Sequence, residues 1–539
     1  MTGRHRCRQT VGGQFVFVAA AALAVAAVPG AAARSSPAVR LLAAGPAVIS
    51  PNGNGVNDLL RLKVRAPAGS ALTLRAYFWG GRLHGWRPVA TGVAVPAARG
   101  ETSIDWAATT SSGRTLRDGS YLVTVCYKER GRLLPPLVPS SEQRPGPAEA
   151  TVERPPWRRS GCLARPKVIR VERLAAYVDS TSSYAPGARV PLVVSADAGR
   201  WRVVLQQDCS GARIPLRAGA TLPRGLPTGL YHFVAGDPAR DEFRAPVVIR
   251  NGRFPLGRPP PRTALLVWPY LTWRAYNAYD ADLDGRPDSW YQFWPQRRVS
   301  LVGPLLPRGV EDDFAATRPF SRWLCARRGL RVQSVTDVEL ARLPLSTLRR
   351  YAAVVFPGHS EYYVPATYDL LERYRGEGGH LVFLQANPFY RQVRVDRESN
   401  AVVMTDYDAR EGRSDFALTG VGYDGCCFPR SRAAPYVAAL GQDYRRVRWL
   451  FRGTGIGPGQ RFGYAGSESD RIDPELTPRG HVVAAEAIIA GKHGVINAAM
   501  VWSRAGRGSS FAVGNYSFLR MRPSLTWTLL DNVWRRLVG

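Results

Sequence analysis

The segment 351–390 constrains the fold of this chain more than any other. It has the pattern of a strand over 351–356, a helix over about 365–375, a glycine turn and a second strand over 380–384. The first strand is continuously apolar and ends at a Pro-Gly pair. Such a run is typical of a parallel strand that is covered on both faces. The segment therefore predicts one unit of an α/β fold.

Three polar residues follow these two predicted strands. His359 and Glu361 come directly after the first strand, and Asn387 follows the second. Ligands of open α/β sheets bind outside the carboxyl ends of the strands. We therefore expect the three side chains to face one crevice.

The N-terminus has the parts of a secretory signal peptide. Arginines at positions 4, 6 and 8 precede an apolar run over 15–28, and three alanines over 31–33 offer a small-residue cleavage site. The apolar run is too short to span a bilayer. We predict that 1–33 is a signal peptide and that the mature protein is secreted or associated with the cell envelope. A retained N-terminal anchor is the alternative.

The formal net charge is +31, and arginine supplies nearly all of the positive charge. The arginines are scattered, and no nucleic-acid-binding motif accompanies them. This distribution argues against a nucleic acid partner and favours attraction to an anionic cell envelope.

Short alternating strands predict two β-sandwich modules upstream of the α/β unit. The first spans 47–130, and its opening run SPNGNGVND resembles the start of the Ig-like domain of flagellar hook-capping proteins. A proline-rich linker over 131–165 follows, and the second sandwich is predicted over 166–252.

From residue 263 the apolar pattern alternates between strands and helices. One helix is predicted over 314–328 and another over 338–348, whereas 401–463 is less regular and is expected to decorate the sheet. Alternating strands and helices form right-handed crossovers and a parallel sheet. The segment 263–539 is therefore predicted to be a doubly wound domain of the class I glutamine amidotransferase type.

The turn after the first strand excludes two common nucleophiles. A cysteine amidotransferase needs a thiol at this turn, and the sequence there, PGHSEYY, contains none. Ser360 lacks the G-x-S-x-G setting of a serine hydrolase. What remains is His359 and Glu361, which suits either a metal site or acid–base catalysis.

A second informative run, TWRAYNAYDADLDGRPDSWYQFW, covers 272–294. Together, TWRAYN…SWY and GHSEYY…GGHLVFLQANPFY resemble the large (beta) subunit of the N,N-dimethylformamidase family, across roughly 265–387. The resemblance implies a mononuclear iron that hydrolyses a small amide. When the family's motif is matched to this sequence, the metal ligands fall on Tyr276, Tyr291 and Glu361. The family's catalytic His and Asn fall on His359 and Asn387.

The chemistry of the implied ligands agrees with this resemblance. Two phenolates and one carboxylate are hard anionic donors, which favour trivalent iron over zinc or copper. Tyr279 is the alternative to either tyrosine. The resemblance also implies a small amide substrate and either a small partner subunit or self-association.

The acidic run within this segment allows a second kind of metal site. Asp280, Asp282 and Asp284 alternate as in the first half of a calcium loop, and Asp288 lies close by. Tyr291 stands where an EF-hand needs a bidentate Glu, which excludes an EF-hand. A looser calcium site and a solvated acidic turn both stay open.

One departure weakens the inference of catalysis. Relatives carry an acidic residue in a strand near the C-terminus, where this chain has Ala498 and Ala499. Glu468 and Asp470 lie in another family-like stretch that offers acid nearby. The rival interpretation is an envelope-associated, catalytically inactive binding or structural protein that retains the α/β fold.

Export permits disulfides among the six cysteines that follow the predicted signal peptide. We predict that Cys162 pairs with Cys126 or with Cys209. The adjacent Cys426 and Cys427 are not expected to pair with each other.

Overall fold

A computed structural model describes most of the chain. The described residues are 39–51, 57–66, 71–80, 85–96, 100–117, 119–128, 162–163, 167–171, 175–195, 202–216, 220–236, 242–254, 256–281, 287–290, 298–327, 329–405, 413–426, 433–490 and 495–539. The predicted signal peptide and most of the predicted linker lie outside these ranges. Within them, no helix is both long enough and apolar enough to cross a bilayer.

The first β unit consists of a three-stranded and a five-stranded sheet, ordered β1-β3-β6 and β2-β8-β7-β4-β5. The two sheets share one hydrophobic core, because alternate residues such as Leu60, Leu62 and Val64 point inward. The strands are β1 (Arg40–Gly45), β2 (Val48–Ile49), β3 (Leu60–Arg65), β4 (Ala71–Gly80), β5 (Gly85–Pro96), β6 (Glu101–Trp106), β7 (Gly119–Lys128) and β8 (Lys167–Val171).

The second β unit is smaller and has its own core. Its sheets are ordered β10-β9 and β12-β11-β13-β14. The strands are β9 (Ala175–Val178), β10 (Leu192–Ser195), β11 (Arg202–Gln207), β12 (Arg213–Pro215), β13 (Gly229–Gly236) and β14 (Glu242–Ile249). The chain is thus multidomain and rich in sheet, consistent with two β-sandwich modules. The Ig-like resemblance of the first module stays a prediction.

Strand β8 ties the region after the predicted linker back to the first β unit. It pairs antiparallel with β7 and parallel with β2. It is thus part of the first β unit, although the second sandwich was predicted to begin at residue 166.

Two disulfides join described cysteines. Cys126 pairs with Cys162, which confirms one of the two predicted alternatives. Cys209 pairs instead with Cys325, so that a covalent bond links the second β unit to the α/β unit. Cys427 lies outside the described residues.

A nine-stranded sheet forms the centre of the α/β unit, in the order β17-β15-β18-β20-β29-β28-β27-β24-β25. The first five strands are parallel to one another, and the last four extend the sheet with antiparallel pairs. The strands from 263 onward are β15 (Thr263–Trp268), β16 (Arg298–Ser300), β17 (Arg331–Thr336), β18 (Ala353–Phe356), β19 (Tyr362–Tyr363), β20 (His380–Phe383), β21 (Arg391–Asp396), β22 (Ala401–Met404), β23 (Gly422–Gly425), β24 (Ala434–Ala438), β25 (Arg461–Ala465), β26 (Ser469–Arg471), β27 (Val482–Ala490), β28 (Val495–Ala505) and β29 (Gly508–Ala512).

The segment 401–463 differs from the prediction, because β24 and β25 continue the main sheet instead of decorating it. The predicted helix over 338–348 is also wrong. Two short helices replace it, and Pro344 stands between them, where its missing N–H and fixed φ interrupt a helix. The helices are α1 (Tyr270–Tyr276), α2 (Pro307–Ala326), α3 (Asp337–Leu340), α4 (Leu345–Leu348), α5 (Pro365–Gly376), α6 (Asp415–Thr419), α7 (Gly441–Val447) and α8 (Pro523–Leu537).

Both faces of the parallel strands are buried. Leu266 and Val355 pack into one core with residues of α2 and α8, whereas Leu265 and Val354 pack into a second core with residues of α4 and α5. Successive side chains of a strand point to opposite faces. This is why the strands are continuously apolar. The amidotransferase-like assignment of this unit stays a prediction.

Candidate active site at the carboxyl ends of the parallel strands

Helix α1 begins one residue after β15 and ends at Tyr276, so it carries this tyrosine above the carboxyl edge of the sheet. The buried carboxylate of Asp337 accepts a hydrogen bond from the backbone N–H of Leu271, at 3.1 Å, and so holds the first turn of α1. Burial raises the pKa of Asp337 to about 8, although the hydrogen bond from Leu271 opposes the shift. The Thr272 hydroxyl accepts a hydrogen bond from the N–H of Glu361 at 3.1 Å. α1 is therefore fixed to the loop that follows β18.

Three of the residues singled out in the sequence meet at this edge. The Tyr276 hydroxyl donates to Oε2 of Glu361 at 2.5 Å and lies 3.1 Å from Nε2 of His359. The same Nε2 is 3.6 Å from Oε2 of Glu361. All three side chains are buried. Tyr276, more than 80 positions upstream of the other two residues, thus joins them in presenting two oxygens and one nitrogen to one point.

A fourth polar group, the carboxylate of Glu468, joins this cluster. Its Oε2 lies 3.1 Å from Nε2 of His359. Glu468 sits in the loop between β25 and β26, and its carbonyl accepts hydrogen bonds from Asn515 Nδ2 at 2.9 Å and from Tyr516 N at 3.1 Å. The ring of Tyr516 also packs edge-on against His359, with 5.3 Å between the ring centroids. Sequence reasoning noted the acid but did not place it, because its only signal was the run GSESDRID.

Asn387 is held by a neighbouring acid. Its backbone has a φ of 58°, an unusual conformation for a non-glycine residue. Its N–H donates to both carboxylate oxygens of Asp470, at 2.9 and 3.0 Å. Burial raises the pKa of Asp470 well above its usual range, and the nearby carboxylates of Asp415 and Glu468 add to the shift. The side-chain oxygen of Asn387 is buried without a hydrogen-bond partner among the described residues.

Tyr279, the alternative metal ligand, contacts the first β unit. Its hydroxyl accepts a hydrogen bond from Nη1 of Arg170 at 2.6 Å, and the guanidinium stacks 4.2 Å from its ring centroid. Nη2 of Arg170 also donates to the carbonyl of Asp280 at 2.5 Å. Tyr276, not Tyr279, is thus the tyrosine in contact with Glu361 and His359.

The other proposed metal ligands are only partly described. Tyr291, Asp282 and Asp284 lie outside the described residues. Asp288 accepts a hydrogen bond from the N–H of Ala281 at 2.8 Å. A calcium site at Asp280, Asp282, Asp284 and Asp288 stays a prediction.

The buried donors fit a hard metal ion. No group of three or more His, Cys, Asp and Glu with metal-holding geometry occurs in the described ranges. The predicted metal ligands, Tyr276, Tyr291 and Glu361, are not a group of this kind, because two of the three are tyrosines. The Tyr276 and Glu361 oxygens, 2.5 Å apart, are both hard donors of the kind that trivalent iron prefers.

The departure near the C-terminus is visible in the structure. Ala498 and Ala499 are fully buried in β28 and bring no acid to the site. Glu468, from the neighbouring loop, brings a carboxylate to His359.

Comparisons with known proteins point to one family. Residues 215–521, more than half of the chain, match the family model described as N,N-dimethylformamidase beta subunit-like, C-terminal. The N,N-dimethylformamidase beta subunits of Alcaligenes sp and Paracoccus aminophilus are 26% and 25% identical to this chain over 318 residues. Each alignment covers 49% of this chain and 41% of the relative.

Solved structures resemble the chain more weakly. A β-galactosidase from Bacillus circulans sp. alkalophilus is 12% identical, with a TM-score of 0.31 over 51% of this chain and 31% of that one. A ThuA-like protein from Bacteroides uniformis is 15% identical, with a TM-score of 0.29 over 53% of this chain and 95% of that one.

Proposed function

The chain belongs to the N,N-dimethylformamidase beta subunit-like family, and from that premise we propose that it is an exported, metal-dependent hydrolase of a small linear amide. Membership supports hydrolysis of a C–N amide bond as the reaction class. The observation that carries the proposal is the convergence of Tyr276, Glu361 and His359 above the parallel strands. The chain spans less than half the length of its curated relatives, so the complete activity of those relatives is assigned to this chain only as a proposal.

Tyr276 and Glu361 would hold the metal, together with Tyr291. A trivalent iron bound there would act as a Lewis acid, polarising an amide carbonyl and lowering the pKa of water. The ligand set is anionic, so it would offset the charge of such an ion.

His359 would move a proton during amide hydrolysis. Its Nε2 faces the Tyr276 hydroxyl and the Glu468 carboxylate, each at 3.1 Å. The imidazole would accept a proton as water adds to the carbonyl carbon, and would return it to the departing amine nitrogen. Glu468 would stabilise the imidazolium between these two steps. The products are a carboxylic acid and an amine.

Asn387 would orient the amide. Its buried side-chain oxygen has no hydrogen-bond partner in the described part of the chain, and its backbone is fixed by Asp470. A buried side-chain oxygen that can still accept a hydrogen bond suits the alignment of a polar substrate.

The test is metal analysis combined with a substrate panel. We expect purified mature protein to contain about one iron per chain, to show a visible tyrosinate-to-iron band, and to release formate from formamide, N-methylformamide or N,N-dimethylformamide. Addition of a small partner subunit belongs in the same assay, since the relatives are named as subunits. Colourless, metal-free protein that hydrolyses none of these amides would favour the inactive binding protein, the alternative suggested by Ala498 and Ala499.

A further inference from the structure

A cavity lies at the opposite edge of the parallel sheet from the candidate active site. It has a volume of about 820 Å³ and is lined by the amino ends of two strands, at Thr263 of β15 and Arg331 of β17, and by Tyr351 just before β18. The second β unit forms its other wall, including Asn251. Its volume is in the range of sites that bind small molecules.

The two walls of this cavity are fastened to each other. Cys325, in the wall, forms the disulfide with Cys209 of the second β unit. The side chain of Gln333 also makes two hydrogen bonds of 2.6 Å with the backbone of Asn251, one as donor and one as acceptor. The cavity is therefore preformed, which lowers the entropic cost of binding a ligand.

The charge around the cavity has one sign. Arg253, Arg258 and Arg331 line it, and no Asp or Glu is among the described residues that do so. None of the three guanidiniums forms an ion pair with a described carboxylate. Guanidinium groups bind phosphate and carboxylate through charge-assisted hydrogen bonds. The cavity thus presents uncompensated positive charge to a ligand.

The remaining wall is largely aliphatic. Leu324, Leu330 and Val332 line the cavity and are only partly buried. The hydroxyl of Tyr351 has no hydrogen-bond partner among the described residues, although the residue is only 3% exposed. Burial raises the pKa of Tyr351 to about 12, so the hydroxyl stays protonated and can donate a hydrogen bond to an acceptor.

We propose that this cavity is a binding site for an amphipathic anion, with a phosphate or carboxylate head held by Arg253, Arg258 and Arg331 and a short aliphatic tail against Leu324, Leu330 and Val332. The site is separate from the candidate active site, and the proposal does not depend on amide hydrolysis. Phosphate and carboxylate heads share the required chemistry, so the test includes both.

The test is isothermal titration calorimetry on the mature chain with octyl phosphate, octanoate and the neutral octyl glucoside, all below their micellar concentrations. We expect one site per chain for at least one anion and at least tenfold weaker binding of octyl glucoside. Arg253→Gln/Arg258→Gln should weaken anion binding roughly a hundredfold, since each lost charge-assisted bond contributes about tenfold. The control Arg461→Gln/Arg479→Gln removes the same charge from exposed positions outside the cavity wall and should leave binding unchanged.

A cavity-filling variant separates a specific site from general attraction to a basic protein. Gly257 lines the cavity, and a Cβ added there meets no atom within 4 Å, so Gly257→Trp should fold normally and abolish binding of both anions. Stronger binding of octyl phosphate would identify a phosphate site, and stronger binding of octanoate a carboxylate site. Absence of binding at millimolar anion, equal loss in both double variants, or full binding by Gly257→Trp would each overturn the proposal.

Discussion

Tyr276→Phe tests the candidate active site with the smallest change. The variant removes one oxygen, which lies 2.5 Å from Glu361 and 3.1 Å from His359, and keeps the ring that packs against Tyr362 with 6.4 Å between centroids. Loss of a hydrogen bond to a charged group costs about 1.5–3 kcal/mol. The metal-free fold should therefore survive, because a deficit of this size is well below the stability of an ordinary domain, about 5–15 kcal/mol.

The effect on metal binding should be much larger than the effect on folding. Changing a group that only supports a metal ligand costs about 10–100-fold in affinity or activity. Removal of a ligand should therefore lower kcat/KM for the amide by at least about 100-fold. It should also abolish the visible band and bring the iron content, measured by mass spectrometry, well below that of the wild-type protein.

Tyr279→Phe is the matched control. It removes the same atom from a tyrosine three positions away, whose hydroxyl contacts Arg170 instead of the cluster. Iron content and the visible band should be unchanged in this variant. If Tyr276→Phe retains the band and Tyr279→Phe loses it, the assignment of Tyr276 as a ligand is refuted.

Three further predictions concern the surroundings of the site and the stability of the fold. Glu468→Gln should lower kcat/KM by about 10²–10⁴-fold while iron content stays constant, and unchanged turnover would exclude Glu468 from proton transfer. Burial lowers the pKa of His232 to about 4, so the neutral imidazole stabilises the fold above about pH 6.5. The free energy of unfolding should fall by on the order of 3 kcal/mol as the pH drops from about 6.5 towards 4. Urea denaturation at several pH values should show this dependence, and His232→Phe should flatten it. Gly514→Ala should strongly lower the midpoint of thermal unfolding, because Gly514 has a φ of +57° and an added Cβ would lie 2.1 Å from the carbonyl oxygen of Ala499. The control Gly457→Ala should leave the midpoint unchanged, because a Cβ added there has no contact below 3.6 Å.

The features that were predicted best are those that depend on a short segment of sequence, such as buried strands and helix bounds. The apolar runs of β15 and β18 required cover on both faces, and both faces are covered. The bounds of α5 were predicted to within one residue at its C-terminal end, because Pro365 begins the helix and a glycine turn follows it. Pro344 was a missed signal, since its ring could have predicted the break between α3 and α4.

Long-range contacts could not be predicted in the same way. Glu468 and His359 are more than 100 positions apart, and their contact depends on how the antiparallel extension of the sheet returns the chain to the parallel edge. The pairing of β8 with β7 is similar, because its apolar pattern suited either β unit. His359 and Glu361 were predicted from their position directly after β18. Tyr276 was found because the resemblance to a family supplied a contact that periodicity does not contain.

The contact of Arg170 with Tyr279 and Asp280 bears on how this protein can be divided. Arg170 belongs to a strand far upstream of the family-matched region, 215–521, yet it holds the chain only three residues beyond Tyr276. A truncated protein that begins at residue 215 would lose the guanidinium that stacks on the ring of Tyr279 and the two hydrogen bonds that Arg170 donates. The N-terminal strands and the candidate hydrolase would therefore have to be exchanged together in any chimera, since a replacement module without an arginine at this point would lack both hydrogen bonds to Tyr279 and Asp280.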